Sequence, residues 1–116
     1  MAKLMIDDTR VLSRAAQTGG WHVLRMGEDL PAWIEAHGWP ESIALDYDLD
    51  LGGGSWDGAR VARWLLSAWE TTGRPAGEFP AWDVHSRDDR NNADVERILA
   101  VFEGKRHQGL APLRRS

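Results

Sequence analysis

The stretch from Ile43 to Asp50 (IALDYDLD) most constrains how this chain can fold. It begins with apolar residues, carries carboxylates at every second position from Asp46 to Asp50, and runs into the glycines of residues 52–54. A short apolar run closed by acids and glycines predicts a buried strand whose C-terminal end opens onto a loop. Carboxylates concentrated at that point need a counter-charge, such as a metal ion or a basic partner.

Two further apolar runs end in the same way. Residues 4–6 are followed by Asp7 and Asp8, and residues 82–84 are followed by His85 and Ser86. Segments with helical periodicity separate the runs, and strands that alternate with helices predict an α/β sheet, mostly parallel, with right-handed crossovers. Ligands of such sheets bind beyond the carboxyl ends of the strands. We therefore expect the polar strand ends to gather into one pocket.

The predicted elements cover most of the chain. Strands are expected over residues 3–6, 21–25, 42–46 and 81–85, and helices over residues 28–37, 57–70 and 93–103. Residues 11–20 are predicted to be mostly loop because Gly19 and Gly20 stop a possible helical turn. No fifth strand is predicted in the tail, where Gly109 and Pro112 interrupt the apolar residues.

Composition narrows the function classes. A chain of 116 residues forms one domain, predicted here as residues 1–103 with a basic tail over residues 104–116. A net charge of −4 argues against a protein that coats nucleic acid through bulk charge. The absence of cysteine excludes disulfides and thiolate metal sites. No apolar run approaches the roughly 20 residues that span a bilayer, and the first is too short for a signal peptide, so we expect a cytoplasmic protein with no membrane partner.

The chain contains seven tryptophans, which is many for its length. They are scattered without a repeat period, and most are predicted to be packing residues rather than a stacking platform for nucleic acid. Trp56 is the exception, a candidate for a role near the predicted pocket, because it lies in the glycine loop beside the acids.

The strand-end acids Asp7, Asp8, Asp46 and Asp48 are candidate metal ligands. Carboxylates that meet at short range repel one another, and a cation is needed to keep them ionised. Hard oxygen ligands, with no cysteine and no paired histidine, favour Mg²⁺, Mn²⁺ or Ca²⁺ over zinc. The alternative is that they are ordinary loop acids, because aspartate is common where strands end.

The remaining polar residues near the predicted pocket suggest phosphate chemistry. His85 can shuttle a proton near neutral pH, and Ser86 can bind a phosphate oxygen. Arg10 can pair with the acids or hold a phosphate with two hydrogen bonds. The alternative for His85 is a structural hydrogen bond. The glycines of residues 52–54 do not match a Walker phosphate loop, which also needs Gly-Lys-Ser/Thr.

Taken together, these motifs resemble the cyclic-phosphate processing receiver domains, which look like compact relatives of response-regulator receivers. The shared pattern is a strand ending Asp-Asp-x-Arg, a strand ending Leu-Asp-His-Asp-Leu, a glycine-rich loop, a helix opening Gly-x-x-Val-x-x-Trp-Leu and a strand ending His-Ser. In this chain the corresponding segments are residues 7–10, 45–49, 52–54, 58–65 and 85–86. The resemblance covers about residues 3–103.

The resemblance implies a receiver-like (flavodoxin-like) three-layer α/β sandwich, with about four mostly parallel strands and helices on both faces. It implies an acidic pocket of Asp7, Asp8 and Asp46 that binds Mg²⁺ or Mn²⁺, with Asp46 in the place of the phospho-accepting aspartate. It also implies processing of a cyclic phosphate on a small molecule or a nucleic-acid terminus, with Asp48 and His85 joining Asp46 as candidate catalytic residues.

Two departures from the pattern bear on activity. Tyr47 replaces the histidine between the two aspartates, although its phenol can still donate a hydrogen bond to a ligand. No fifth strand carrying the receiver lysine is visible, and Lys105 is a poor substitute. Three interpretations therefore stay open: a metal-dependent cyclic phosphodiesterase, a non-catalytic receiver-like signalling or interaction domain, and a protein that binds cyclic nucleotides without cleaving them.

Overall fold

A computed structural model gives the structure of the chain. It describes residues 2–8, 11–12, 19–47, 49, 55–85, 93–94, 97, 100 and 113–114. At residues 11, 12, 76, 85, 113 and 114 the description is limited to the backbone.

Four parallel strands form the main sheet, and a two-stranded ribbon accompanies it. The strands are β1 (Lys3–Ile6), β2 (Val11–Leu12), β3 (Trp21–Leu24), β4 (Ser42–Asp46), β5 (Ala81–His85) and β6 (Leu113–Arg114), and the α-helices are α1 (Leu30–His37) and α2 (Gly58–Thr72). Short 3-10 helices cover Gly27–Asp29 and Ala76–Glu78. The main sheet has the order β3-β1-β4-β5, so the predicted α/β class and all four predicted strands are confirmed.

The middle residues of the two central strands are apolar on both faces of the sheet, and all of them are buried. Leu4, Met5 and Ile6 of β1 are fully buried, and every residue of β4 is buried. Parallel strands with near-continuous apolar runs are typical of sheets shielded on both sides. The sequence therefore encodes β1 and β4 as interior strands, with β3 at one edge of this sheet.

One large core joins the sheet to the two helices. Leu4 and Ile6 point to the same face as Ile43 and Leu45, because Leu4 lies opposite Ile43 and Ile6 opposite Leu45. This face packs in a single cluster against apolar residues of both helices, namely Leu30, Trp33, Val61, Ala62, Leu65 and Trp69. The crossover from β3 to β4 contains α1, and the crossover from β4 to β5 contains α2. Both run in the same direction across the sheet, so right-handed crossovers put the two helices on the same face.

Local signals set the ends of the helices. The α-helix α1 begins at Leu30 rather than near Glu28, because Gly27–Asp29 forms a 3-10 turn that leads into it. Asp57 caps α2 by accepting a hydrogen bond from the Arg60 backbone N–H at 2.9 Å. The helix ends at Gly73, whose φ of 72° is left-handed.

The tail contains a strand that the sequence does not predict. Leu113–Arg114 pairs antiparallel with Val11–Leu12, which corrects the predicted absence of a tail strand. Within residues 11–20, which were predicted to be mostly loop, residues 11–12 form a strand, residues 19–20 form a turn, and residues 13–18 lie outside the described residues. Two-residue strands are too short to show an alternating pattern, so sequence periodicity cannot reveal them. Of the predicted helix 93–103, residues 93, 94 and 97 are helical, residue 100 lies in a turn, and the others lie outside the described residues. Across the described parts of the chain, no helix is long and apolar enough to cross a membrane.

Helix α2 approaches the end of β4 closely at one glycine. The Gly58 N–H donates to the Tyr47 carbonyl at 2.9 Å, and a Cβ added at Gly58 would run into the Tyr47 backbone. We predict that Gly58→Ala lowers the free energy of unfolding by about 1–3 kcal/mol, because the backbone cannot yield as a flexible side chain can. Urea unfolding followed by tryptophan fluorescence measures the change.

Gly77→Ala is the matched control, because a Cβ at Gly77 meets no heavy atom within 4 Å. We expect it to change stability little. Equal effects of the two substitutions would contradict the close approach of α2 to Tyr47.

Candidate functional site

Three carboxylates meet at the carboxyl end of the sheet. Asp7 and Asp8 follow β1, Asp46 ends β4, and one oxygen from each lies within 4.8 Å of the others. Asp7 is 1% exposed and Asp46 is 9% exposed. The structure therefore brings together the three acids that the sequence analysis proposed as metal ligands.

Strand register explains why these acids converge. Ile6 of β1 lies opposite Leu45 of β4, so the next residue of each strand, Asp7 or Asp46, stands beside the other. Because side chains alternate along a strand, both carboxylates project to the face opposite the Ile6 and Leu45 side chains. Asp8, the residue after Asp7, reaches the same cluster.

The cluster also lies where the order of the strands reverses. From β1 the chain goes to β3 on one side and then returns to β4 on the other side of β1. Open α/β sheets leave a crevice at such a switch point, outside the carboxyl ends of the strands, and ligands bind there. Asp7 and Asp46 come from the two strands that border this point.

The Asp7 backbone is fixed from the neighbouring strand. Its N–H donates to the Leu24 carbonyl at 3.0 Å, and the Arg25 guanidinium donates to the Asp7 carbonyl at 3.0 Å. Arg25 therefore brings a positive charge next to the acid cluster, a role that the sequence analysis missed. The available signal was its position, because Arg25 follows β3 as Asp7 follows β1.

Of four further predicted site residues, the structure describes only the backbone of His85. The His85 backbone lies opposite Asp46 in the β4–β5 pairing, which puts His85 at the same end of the sheet. Its side chain is not described, and Arg10, Asp48 and Ser86 lie outside the described residues. The roles assigned to these four residues stay predictions.

Tyr47 is part of the packing around the site. It is partly buried and packs against the main hydrophobic core. Its Cα and side chain also border the position where Gly58 begins helix α2. Tyr47, which replaces the histidine of the motif, therefore links the end of β4 to α2. Its contact with a ligand stays a prediction.

Glu28 fixes the segment that follows the glycine-rich loop. Each of its carboxylate oxygens accepts a hydrogen bond from the Ser55 N–H at 3.0 Å, and one also accepts from the Trp56 N–H at 3.2 Å. These bonds, that of Ser55 foremost, lower the pKa of Glu28 from its usual 4.5. The sequence analysis placed Glu28 at the start of a helix, and no local pattern could have indicated a partner 27 residues away.

The donor set of the acid cluster suits a hard divalent cation. Three carboxylates supply oxygen ligands only, and the chain has no cysteine. Mg²⁺ binds through one or two carboxylates and keeps several waters, and Mn²⁺ also prefers oxygen. The residues present therefore fit Mg²⁺ or Mn²⁺, with Asp7, Asp8 and Asp46 as the side chains that would hold it.

Comparison with protein-family models identifies the domain. The model of the cyclic-phosphate processing receiver domain matches residues 2–101. The chain belongs to this family. Searches among curated proteins and among solved structures gave no match.

The family match and the sheet agree with each other. Four parallel strands with helices form the receiver-like, flavodoxin-like α/β fold, so the resemblance inferred from the motifs is confirmed. The match spans β1 to β5 and therefore includes all three acids of the cluster. This receiver domain thus has a role linked to cyclic phosphates.

We predict that Glu28→Gln destabilises the protein in a pH-dependent manner. A carboxylate whose pKa is lowered on folding contributes stability above its ordinary pKa and loses it as pH falls through the lowered value. The difference in urea midpoint between wild type and Glu28→Gln should be complete at pH 7 and shrink progressively below pH 4.5, the ordinary pKa.

Glu35→Gln is the matched control, because Glu35 is an exposed glutamate of α1. Its difference from wild type should be small across the same range. A Glu28→Gln difference that is already lost at pH 6 would contradict the lowered pKa.

Proposed function

We propose that this receiver domain binds Mg²⁺ or Mn²⁺ at Asp7, Asp8 and Asp46 and hydrolyses a cyclic phosphate bound beside them. The observation that carries the proposal is the approach of the three carboxylates to within 4.8 Å at the switch point of the sheet. The family match adds the connection to cyclic phosphates.

The electrostatics support a bound cation. Two carboxylates at such a distance repel, and burial of Asp7 and Asp46 weakens the screening by water. The Arg25 guanidinium donates to the Asp7 carbonyl and brings one positive charge to this cluster. A divalent cation would offset the remaining negative charge and at the same time offer a binding point for phosphate oxygens.

Hydrolysis of a cyclic phosphodiester adds water across one P–O bond. The water oxygen forms a new bond to phosphorus, one ester oxygen leaves, and the product is a phosphate monoester with a free hydroxyl. When bound, the cation would polarise a phosphoryl oxygen and lower the pKa of a coordinated water. The domain's own residues would do the rest: Asp48 or His85 would take the water proton, and the leaving oxygen would receive a proton in return.

Substrate binding would rest on the residues around the acids. Arg10 and Ser86 would hold the phosphate, Arg10 through two hydrogen bonds and Ser86 through its hydroxyl. Tyr47 would contact the ligand from the end of β4. The substrate class is a phosphorylated small molecule or the end of a nucleic acid, since both present a cyclic phosphate to a pocket at the sheet edge.

Turnover tests this proposal directly. We expect wild-type protein with Mg²⁺ or Mn²⁺ to open 2′,3′-cyclic nucleotides or RNA ending in a 2′,3′-cyclic phosphate, with loss of activity in EDTA. Asp46→Asn should reduce kcat at least 100-fold, because it removes one charge from the metal ligands.

Asp29→Asn serves as the control, because Asp29 is an exposed aspartate without a side-chain cap hydrogen bond. Its activity should match that of wild type. Full activity of Asp46→Asn would show that the mechanism does not need Asp46. Full activity in EDTA would show that it does not need the cation.

One observation favours a second candidate, a receiver-like domain that binds its ligand or accepts phosphate without hydrolysis. The position of the motif histidine is occupied by Tyr47, which packs against the core. A phenol has a pKa near 10 and is a weaker base than imidazole at neutral pH. Binding of cyclic nucleotides without product, or a tryptophan fluorescence change with beryllofluoride, would favour this candidate.

A further inference from the structure

We infer that Trp56 and Arg60 form a stacking platform for a nucleobase, so that this domain takes nucleoside phosphates rather than cyclic phosphates without a base. This inference rests on the proposed phosphate site. It assigns a role to the tryptophan that follows the glycine-rich loop, and it names the substrate class that the acid cluster alone leaves open.

The two side chains stack on each other. The Arg60 guanidinium carbon lies 4.9 Å from the centroid of the Trp56 ring, within the range of a cation–π contact. Trp56 is partly buried against the hydrophobic core, whereas Arg60 is exposed. An arginine plane held over an aromatic ring presents a second flat surface to solvent, and nucleobases stack on guanidinium planes as they do on aromatic rings.

The platform is held in place by contacts on its backbone. The Trp56 N–H donates to the Glu28 carboxylate at 3.2 Å, and the Arg60 N–H donates to the Asp57 carboxylate at 2.9 Å. Gly27 packs against Trp56, because a Cβ at Gly27 would lie 3.1 Å from the Trp56 Cβ. A stacking surface that is already ordered loses less conformational entropy when a ligand binds.

A backbone contact connects the start of α2, where the platform lies, to the end of β4 next to Asp46. Residues 56 and 60 flank Gly58, and the Gly58 N–H donates to the carbonyl of Tyr47, the residue after Asp46, at 2.9 Å. A nucleoside phosphate bound with its phosphate at the acids would thus have its base near the start of α2.

A second arginine–tryptophan stack provides the contrast. The Arg74 guanidinium lies 4.5 Å from the Trp69 centroid, and Arg74 also forms an ion pair with Glu78 at 3.4 Å. That stack joins the last turn of α2 to the segment that leads to the amino end of β5, away from the acids. Among the described residues, no carboxylate forms an ion pair with Arg60, so its charge stays available for an anionic nucleotide.

Equilibrium binding tests the platform independently of turnover. The dissociation constants of adenosine 3′-monophosphate and of glycerol phosphate would be measured by isothermal titration in Mg²⁺. We expect wild type to bind the nucleotide about tenfold or more tightly than glycerol phosphate, as stacking of one base typically provides. Trp56→Leu and Arg60→Ala should reduce that preference at least several-fold.

Two variants control for general effects on the fold. Trp56→Phe keeps an aromatic ring and should keep most of the preference, and Arg74→Ala removes the arginine of the second stack and should keep all of it. Equal binding of the two ligands by wild type would overturn the inference, and so would an unchanged preference in folded Trp56→Leu. A preference for the nucleotide without opening of cyclic phosphates would support the platform and refute hydrolysis. Opening of cyclic phosphates without that preference would support hydrolysis and refute the platform.

Discussion

The register between β1 and β4 is the constraint on which the rest of this domain depends. Pairing of Ile6 with Leu45 buries both side chains in the core and sets Asp7 beside Asp46 at the ends of the strands. A shift by one residue would turn the side chains of one strand to the other face of the sheet and separate the two acids. Burial of the apolar residues thus holds the Asp7 and Asp46 carboxylates close together although they repel each other.

The contacts around the acids extend this arrangement across the domain. Arg25 holds the Asp7 backbone from β3, Gly58 brings helix α2 against Tyr47, and Glu28 joins the start of α1 to the segment before α2. Each contact connects two elements that are distant in sequence at the same end of the sheet. The proposed base platform of Trp56 and Arg60 belongs to this network, since Glu28 and Asp57 hold its backbone.

The sequence predicts what depends on local pattern and fails where distant residues meet. The four strands follow from apolar runs closed by polar residues, and convergence of Asp7, Asp8 and Asp46 follows from parallel strands with shared carboxyl ends. The sequence does not predict the contacts of Glu28 and Arg25, because their partners are 27 and 18 residues away. The ribbon of Leu113–Arg114 is too short to have a period. The motif shows that Tyr47 replaces a histidine, but its contact with Gly58 depends on how α2 packs against β4.

The most direct test of the cation site compares the unfolding of wild type and Asp46→Asn in EDTA and in Mg²⁺. Without a cation, the variant should be more stable by about 1–3 kcal/mol, because one of three mutually repelling charges is gone. Saturating Mg²⁺ should stabilise wild type much more than the variant and reverse the order, because a ligand that binds the native state stabilises it more when its affinity is higher. A wild type that is the more stable protein in EDTA and does not respond to Mg²⁺ or Mn²⁺ would contradict the account.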